Sequence, residues 1–188
     1  MVITISAVIL AGGKARRMAG KDKGLQLLRE KPLVKYMIER LTPQIGEIAI
    51  NANRNQSDYA RFGLPVFADE LADFQGPLSG MLTGLERAQS EFVLFTPCDS
   101  PFFPDNLTAK LKSAVENDRT LIAYACDETR AHPTFCLMSV KLKEKLRAYL
   151  ANGERRLLQF MQQNDAAAVK FSLNEGRFVN FNTLEYLQ

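Results

Sequence analysis

The sequence contains few cysteines and histidines and lacks a long hydrophobic run. Its three cysteines, Cys98, Cys126 and Cys136, show no C-x-x-C spacing, and His132 is its single histidine. This cysteine pattern disfavours a disulfide framework and a zinc knuckle, and it fits a reducing cytosol. No apolar run reaches the ~18 residues that span a bilayer, and residues 1–10 lack the features of a signal peptide. We therefore expect a cytoplasmic protein with no membrane segment.

Charge and composition exclude further classes of protein. The net charge of +3 is too small to indicate general nucleic-acid binding. A length of 188 residues, with 46% hydrophobic and 24% charged side chains, is typical of a single globular domain, which we expect to span 1–188. The sequence has no internal repeat and no low-complexity tract. Much of the positive charge falls within one short segment near the start of the chain.

That segment, AVILAGGKARRMAGKDK at 7–23, places two glycines directly after an apolar run and then a group of cations. An apolar run without alternation predicts a strand buried on both faces of a parallel sheet. Gly12 and Gly13 can adopt positive φ, and free N–H groups beside fixed cations bind polyanions. The spacings G-x-x-x-x-G-K-[ST] and G-x-G-x-x-G are both absent. The segment therefore predicts a different triphosphate-binding loop, the alternative being a glycine turn followed by solvated cations.

The rest of the chain alternates strand and helix patterns. This order predicts an α/β fold with one Rossmann-like, doubly wound, mostly parallel sheet and helices on both faces. Predicted strands are 4–10, 47–51, 66–67, 92–96, 121–126, an edge strand of either direction at 134–138, and 168–171. Predicted helices are 32–42, 57–62, 77–88, 104–117, 140–150, 155–163 and a short one capped by Asn182, while 11–31 is predicted as a loop.

Polar residues follow several predicted strands at the point where each strand ends. They are the Gly12-Gly13 pair, Asn51, Asp69 and Asp99. Ligands of open α/β sheets bind at the carboxyl ends of the strands, near the point where the winding reverses. The convergence of four separate segments on one edge predicts that the glycine turn and Asp99 face each other across one crevice that holds one nucleoside triphosphate.

Asp99 is the strongest candidate for a metal ligand. It follows an apolar strand and lies between Pro97 and Pro101. A carboxylate in such a stiff loop suits Mg²⁺, which prefers oxygen ligands and retains several waters. The predicted metal would bridge the α-phosphate and the leaving pyrophosphate. The alternative interpretation is an aspartate turn between prolines, which is common in loops.

Two cations of the glycine-rich segment are candidates for contact with the phosphates. Lys23 offers a point charge, whereas Arg17 offers a bidentate fork, and either would stabilise charge that builds on the α-phosphate. We interpret Lys14, Arg16 and Lys21 as contributing only to the local positive field. The alternative for Arg17 and Lys23 is a solvated basic loop.

The same segment resembles the signature of the molybdenum cofactor guanylyltransferases, the MobA-like nucleotidyltransferases. A glycine is common in that family where this chain has Ala19. The resemblance continues in family order from Val8 to Leu187, through P-C-D at 97–99 and G-P-L-x-G at 76–80. The residues that carry the signature are Leu10, Gly12, Gly13, Arg17, Met18, Asp22 and Lys23.

The resemblance implies roles for individual residues. It implies that Arg17, Lys23 and Asp99 are catalytic and that Asp99 is the magnesium ligand. A carboxylate at Asp69 can accept hydrogen bonds from the N1–H and amine of guanine, an edge that cytosine lacks. The implied GTP-binding residues are Leu10, Ala11, Gly12, Gly13, Lys23, Asn51, Asp69, Gly80 and Asp99. The implied acceptor-binding residues are Arg155, Arg156, Asn180 and Asn182, for which a helix cap and surface charge are the alternatives.

The resemblance also implies a reaction. The N-terminal half would bind GTP and the C-terminal half molybdenum-molybdopterin, whose terminal phosphate would take GMP from GTP with Mg²⁺ and release pyrophosphate. Transient contacts with proteins that make the cofactor, or with molybdoenzymes that receive it, are implied as well. A phosphate nucleophile is already ionised near neutral pH, so alignment and charge neutralisation suffice without a strong general base. We accordingly assign no catalytic role to His132 or Cys98.

Three alternatives remain open at this stage. One is a cytidylyltransferase of the same fold that acts on molybdopterin. Another is a sugar-phosphate nucleotidyltransferase, which the Asp22-Lys23 pair disfavours. The last is a non-catalytic module that binds GTP or the cofactor without releasing pyrophosphate, and Asp99 weighs against it because simple binding does not require a metal ligand there.

Overall fold

The computed structural model describes residues 3–13, 22–71 and 76–181. The strands are β1 (Ile5–Leu10), β2 (Leu27–Leu28), β3 (Lys31–Pro32), β4 (Ile48–Asn51), β5 (Val66–Phe67), β6 (Phe92–Pro97), β7 (Ile122–Cys126), β8 (Ala131–Ser139) and β9 (Ala167–Lys170). The helices are α1 (Leu33–Leu41), α2 (Gln56–Ala60), α3 (Pro77–Arg87), α4 (Leu107–Asn117), α5 (Lys143–Ala151) and α6 (Leu157–Gln163). A 3₁₀ turn, Val140–Leu142, precedes α5. Within these ranges, no helix has both the length and the apolar composition needed to cross a bilayer.

Seven of the strands form one sheet in the order β5-β4-β1-β6-β8-β7-β9. The strands β5, β4, β1 and β6 are mutually parallel, and β9 is parallel to β7. Among the described strands of this seven-stranded sheet, only β8 runs antiparallel to its neighbours, β6 and β7. The predicted α/β fold with a mostly parallel sheet is therefore confirmed.

The strand predicted at the sheet edge over 134–138 is instead an interior strand, and that part of the prediction is wrong. β8 spans nine residues and lies between β6 and β7. Its second half is buried without interruption, from Phe135 to Ser139. A strand covered on both faces carries apolar residues continuously, so its weak alternation indicated full burial rather than an exposed edge.

The predicted loop at 11–31 contains a short hairpin that the sequence pattern did not indicate. Leu27 pairs with Pro32 and Leu28 with Lys31 in a two-stranded antiparallel ladder, β2-β3. The two turn residues, Arg29 and Glu30, have φ values of 49° and 65°. Such a tight hairpin turn normally carries glycine or asparagine, so this sequence offers no turn signal there.

The core lies on both faces of the large sheet. On one face, α1 and α4 bury Met37, Leu41 and Leu111 against strand side chains such as Ile9 and Ile50. On the other face, the apolar stripes of α3, α5 and α6 form a second cluster, which includes Met81, Leu146, Phe160, Val8 and Phe95. The two layers leave the carboxyl ends of β1, β4 and β6 at a common edge.

Candidate functional site

The ends of four neighbouring strands lie at the same level of the sheet. Leu10, the last residue of β1, pairs with Asn51 at the end of β4 and with Pro97 at the end of β6. Asn51 pairs in turn with Phe67, the last residue of β5. The segments that follow these strands therefore leave the sheet at one edge, as the parallel register requires.

The glycine turn after β1 is fastened to the segment that follows β4. The backbone N–H of Ala11 donates to the carbonyl of Asn51 at 2.7 Å. The side-chain Nδ2 of Asn53 donates to the carbonyl of Gly12 at 3.1 Å. The Arg54 guanidinium donates to the carbonyl of Gly13 at 3.3 Å. A Cβ on Gly12 would lie 2.7 Å from Asn53 Nδ2, so a side chain there would displace the asparagine.

Gly13 differs from Gly12 in its surroundings. A Cβ added at Gly13 would meet no atom within 4 Å, and the residue is exposed. Among the described residues, the backbone at Gly13 is therefore open on the side of its Cα hydrogens, while the turn is held by the contacts of Asn53 and Arg54. A turn that is fixed before binding loses little conformational entropy when it receives an anion.

Asn51 and Asp69 form a second pair at this edge. Asn51 is buried and donates from Nδ2 to Asp69 Oδ1 at 2.8 Å. The Asp69 amide donates to Asn53 Oδ1 at 2.8 Å, which ties the backbone at Asp69 to the same loop. A Cβ on Gly80 in α3 would collide with Asn51 Oδ1 and would lie 3.2 Å from a methyl of Leu10. The geometry assigns Asn51 to orienting the carboxylate of Asp69, and Gly80 to letting α3 approach closely.

Asp99 and Lys23 form an ion pair at this edge of the sheet. Lys23 Nζ lies 3.2 Å from Asp99 Oδ2. Asp99 is 5% exposed, and its carbonyl accepts a hydrogen bond from the Phe181 amide at 2.9 Å. The ammonium of Lys23 offsets part of the cost of burying this carboxylate. This pair links the segment after the glycine turn to the segment after β6.

The donor set at Asp99 fits a hard cation that is shared with a substrate. Among the described ranges, no three histidine, cysteine, aspartate or glutamate side chains form a group able to cage a metal. Mg²⁺ is commonly held by one or two carboxylates together with phosphate oxygens and waters, rather than by a complete protein cage. A single buried carboxylate at this edge of the sheet is compatible with such a shared site.

Cys98 and His132 are both buried. Burial raises the pKa of the Cys98 thiol well above its ordinary value, and neighbouring Asp99 raises it further. The thiol is thus protonated at neutral pH and is a poor nucleophile. The His132 ring stacks on Phe178 with centroids 4.5 Å apart, and its Nε2 lies 2.6 Å from Asp127 Oδ2.

The residues proposed for an acceptor fall into two separate places. Asn180 Oδ1 accepts from Ser100 Oγ at 2.5 Å, directly beside Asp99. Asn180 also borders a cavity of about 680 Å³, the Asn180 cavity, lined by residues from 127–132 and 171–180. Arg155 and Arg156 lie in the turn between α5 and α6, and those helices cover the opposite face of the sheet. Arg155 donates there to the carbonyls of Leu150 and Glu154, at 2.7 and 2.6 Å.

Comparison with protein families identifies the group to which the chain is related. Residues 7–167 match the family model described as the MobA-like NTP transferase domain. The chain belongs to the MobA-like NTP transferase family. The match includes the glycine turn, Lys23, Asn51, Asp69 and Asp99.

Curated relatives of this MobA-like chain are similar along their whole length. The molybdenum cofactor guanylyltransferase of Haemophilus influenzae is 71% identical over 188 residues, which cover 100% of this chain and 98% of that protein. The enzyme of the same name from Pasteurella multocida is 62% identical and is covered completely, as is this chain.

Solved structures show the same fold at low identity. Molybdopterin-guanine dinucleotide biosynthesis protein A of Archaeoglobus fulgidus superposes with a TM-score of 0.77 at 18% identity, covering 97% of this chain and 94% of that one. The 4-diphosphocytidyl-2C-methyl-D-erythritol synthase of Anaerococcus prevotii also gives 0.77, at 15% identity, covering 98% and 93% of the two chains. Since both superpose equally well, the MobA-like fold by itself does not select the base of the nucleotide.

Sequence reasoning missed several residues that shape this MobA-like site. Asn53 and Arg54 hold the glycine turn, and Asp22, a signature residue to which no role was assigned, has its carboxylate buried among donors that include two from α2 and its N-cap. Asn53 carries a usable signal, because it lies two residues beyond the strand-end residue Asn51. Arg17 and Asn182, named in the sequence analysis, lie outside the described residues.

Proposed function

We propose that the protein is a molybdenum cofactor guanylyltransferase, which transfers GMP from GTP to the terminal phosphate of molybdenum-molybdopterin. The products are pyrophosphate and the guanine dinucleotide form of the cofactor. The observation that supports it most directly is the meeting of the Gly12-Gly13 turn, Lys23 and Asp99 at adjacent strand ends. The full-length identity of 71% to an enzyme of that name supports the same reaction.

The glycine turn and Lys23 are suited to the triphosphate. Backbone N–H groups at Gly12 and Gly13 would donate to phosphate oxygens, and Lys23 would place its ammonium beside the α-phosphate. Arg17 would add a bidentate contact. Asp99 would hold a Mg²⁺ ion, which when bound supplies neutralisation of the charge on the triphosphate and the departing pyrophosphate.

The proposed reaction needs no general base. An oxygen of the acceptor's terminal phosphate forms a bond to the α-phosphorus of GTP, and the bond from that phosphorus to the bridging oxygen breaks. Pyrophosphate leaves with the electron pair of that bond. Because the attacking phosphate is already ionised, the protein's contribution is alignment and electrostatic stabilisation. Cys98 and His132 are both buried, which agrees with a reaction that uses neither side chain as a base or a nucleophile.

The pair Asn51 and Asp69 is suited to a guanine base. One oxygen of Asp69 accepts from Asn51 Nδ2 at 2.8 Å, which restricts the orientation of the carboxylate. A carboxylate fixed in this way accepts from the N1–H and the exocyclic amine of guanine, whereas cytosine presents no such pair of donors. Leu10, Ala11 and Gly80 surround Asn51 and would shape the adjacent wall.

The Asn180 cavity is the proposed place for the pterin acceptor. Asn180 is joined to Ser100, so a ligand in this cavity would lie next to Asp99. Asn182 would complete the acceptor side at this cavity, whereas Arg155 and Arg156 lie in the separate turn between α5 and α6 and are not part of it. On this proposal residues 1–188 act as one nucleotidyltransferase domain, with GTP bound by the N-terminal half and the acceptor by the C-terminal half. Transient contacts with proteins that make or receive the cofactor are part of the proposal, without an assigned surface.

A turnover assay with two nucleotides tests the proposal. Purified protein, molybdenum-molybdopterin and Mg²⁺ are incubated with GTP or with CTP, and pyrophosphate and the dinucleotide product are measured. We expect turnover with GTP that exceeds turnover with CTP, and loss of turnover when a chelator removes Mg²⁺. A preference for CTP would favour the cytidylyltransferase alternative, and GTP binding without pyrophosphate would favour the non-catalytic module.

A further inference from the structure

Asp22 immediately precedes Lys23, the lysine of the ion pair with Asp99. Its carboxylate is 7% exposed. Oδ1 accepts from the Gly24 amide at 3.3 Å and from the Tyr59 hydroxyl, and Oδ2 accepts from Asn55 Nδ2 at 3.3 Å. Two of these donors come from α2 and its N-cap residue, so one buried carboxylate ties the 22–24 turn to a helix that lies more than thirty residues away in sequence.

Tyr59 is fully buried and fills the space on the other side of this turn. A Cβ on Gly24 would lie 2.5 Å from the Tyr59 hydroxyl and 3.3 Å from Cys98 Cβ. The turn is therefore enclosed between α2 and the residue that precedes Asp99. Burial raises the pKa of Tyr59 well above its ordinary value, so its hydroxyl remains a donor throughout the working pH range.

These contacts fix the position of the backbone at Lys23, from which its side chain extends. The residues on either side of it are fixed, Asp22 by its three donors and Gly24 by its close contacts. We propose that Asp22 and Tyr59 are positioning residues that hold the backbone at Lys23 so that its ammonium reaches Asp99 and the α-phosphate. This inference rests on the proposed function and adds two residues to it that do not touch the substrate.

A double-mutant cycle with Tyr59→Phe and Lys23→Ala tests the inference. Tyr59→Phe removes one hydroxyl and keeps the ring that fills the core. We expect kcat to fall roughly tenfold or more, because a displacement of about 1 Å at a catalytic group is costly, while the KM for GTP changes little. Lys23→Ala alone should lower kcat and raise the KM for GTP. In the Lys23→Ala background, Tyr59→Phe should cause no further loss.

One control and one further variant separate a positioning role from general damage to the fold. Tyr36→Phe removes a hydroxyl that donates to a backbone carbonyl, that of Leu28 at 2.8 Å, and it should leave kcat unchanged. Asp22→Asn provides a second variant in case Tyr59→Phe does not fold, and it should show the same dependence on Lys23. Circular dichroism and the thermal unfolding midpoint check the fold of each variant.

The outcomes also distinguish this inference from the proposed function. An unchanged kcat in Tyr59→Phe, or an equal fold-loss in both lysine backgrounds, would overturn the positioning role while wild-type turnover remained. If the wild-type protein released no pyrophosphate from GTP in the presence of the acceptor, the proposed function itself would fail. In that event the positioning role, which depends on that turnover, would fall with it.

Discussion

The edge of the sheet carries two regions whose polar side chains are held in different ways. Around the glycine turn, Asn51 donates to Asp69, Asn53 donates to Gly12, and both asparagines follow the same strand. Beside the Asn180 cavity, by contrast, Asn180 is itself exposed and has its contact with Ser100 on one side and open volume on the other. The first region is organised before a ligand arrives, whereas the second is open.

The difference agrees with the two substrates proposed for these regions. A triphosphate presents a compact set of negative oxygens, which backbone N–H groups and fixed cations recognise without adjustment. A large pterin acceptor requires volume, and Asn180 borders about 680 Å³ of it. The comparison therefore predicts that substitutions at the glycine turn and at Asp99 act on the nucleotide and on chemistry, while substitutions at the cavity act on the acceptor.

The largest expected effect is that of Asp99→Ala. Removal of the buried carboxylate eliminates the proposed metal ligand and the ion-pair partner of Lys23, so pyrophosphate release should fall by roughly 10²-fold or more, to near the detection limit. GTP binding, measured by calorimetry, should weaken only modestly because the glycine turn remains. Asp105→Asn, at a side chain that is 80% exposed, is the matched control. Full activity in Asp99→Ala would remove Asp99 from the mechanism.

The next effect is expected at the glycine turn. In Gly12→Ala the new methyl group lies 2.7 Å from Asn53 Nδ2 in the present geometry, so either the turn or Asn53 must move. We expect GTP affinity to fall roughly tenfold, with little change in the KM for the acceptor. Gly46→Ala places its methyl group where no atom lies within 4 Å and serves as the control. Equal affinities for GTP in the two variants would contradict a preorganised turn.

The arrangement at this edge was predictable because parallel strands impose it. Once 4–10, 47–51 and 92–96 are assigned as parallel strands, Asn51 and Asp99 must leave the sheet at the same edge as the glycines. The strand assignments needed only short-range hydrophobic patterns in the sequence. The meeting of Asp99 with the glycine segment, observed as the Lys23 ion pair, followed from this topology.

Other features depended on contacts that no local pattern encodes. The hydrogen bond from Tyr59 to Asp22 joins residues 37 positions apart, and neither residue type by itself indicates such a bond. The placement of β8 between β6 and β7 depends on which strands it meets in three dimensions. The turn at Arg29 and Glu30 adopts positive φ without glycine, so tertiary packing overrides local preference there.

A smaller effect is expected at the acceptor side. Asn180→Ala removes an amide that borders the cavity and accepts from Ser100. Because one such hydrogen bond contributes about 0.5–1.5 kcal/mol, the KM for the acceptor should rise roughly two- to tenfold, while the KM for GTP stays constant. Asn164→Ala, beyond α6, removes an amide that donates to the Phe160 carbonyl at 2.8 Å and is the control. A rise in the KM for GTP alone would contradict the assignment of the Asn180 cavity to the acceptor.

The smallest effect concerns the stability of the segment that borders the cavity. Glu175 accepts from the Ser172 amide, Asn106 and Lys110, and these contacts lower the pKa of its carboxyl from 4.5 to about 2. The folded state thus binds the proton less tightly than the unfolded chain, and the resulting stabilisation is present above about pH 4.5. It is lost as the pH falls toward about 2.

Substitution of this carboxyl should therefore produce a pH-dependent loss. Glu175→Gln should be less stable than the wild type at pH 7, and the difference should shrink as the pH falls from 4.5 towards 2. Urea unfolding at several pH values measures the free energy of unfolding of both proteins. Glu116→Gln, whose carboxylate lies 3.9 Å from Lys112 on the surface, should show little difference at any pH. A loss in Glu175→Gln that stayed constant with pH would indicate that the carboxyl's charge does not hold the segment at the cavity.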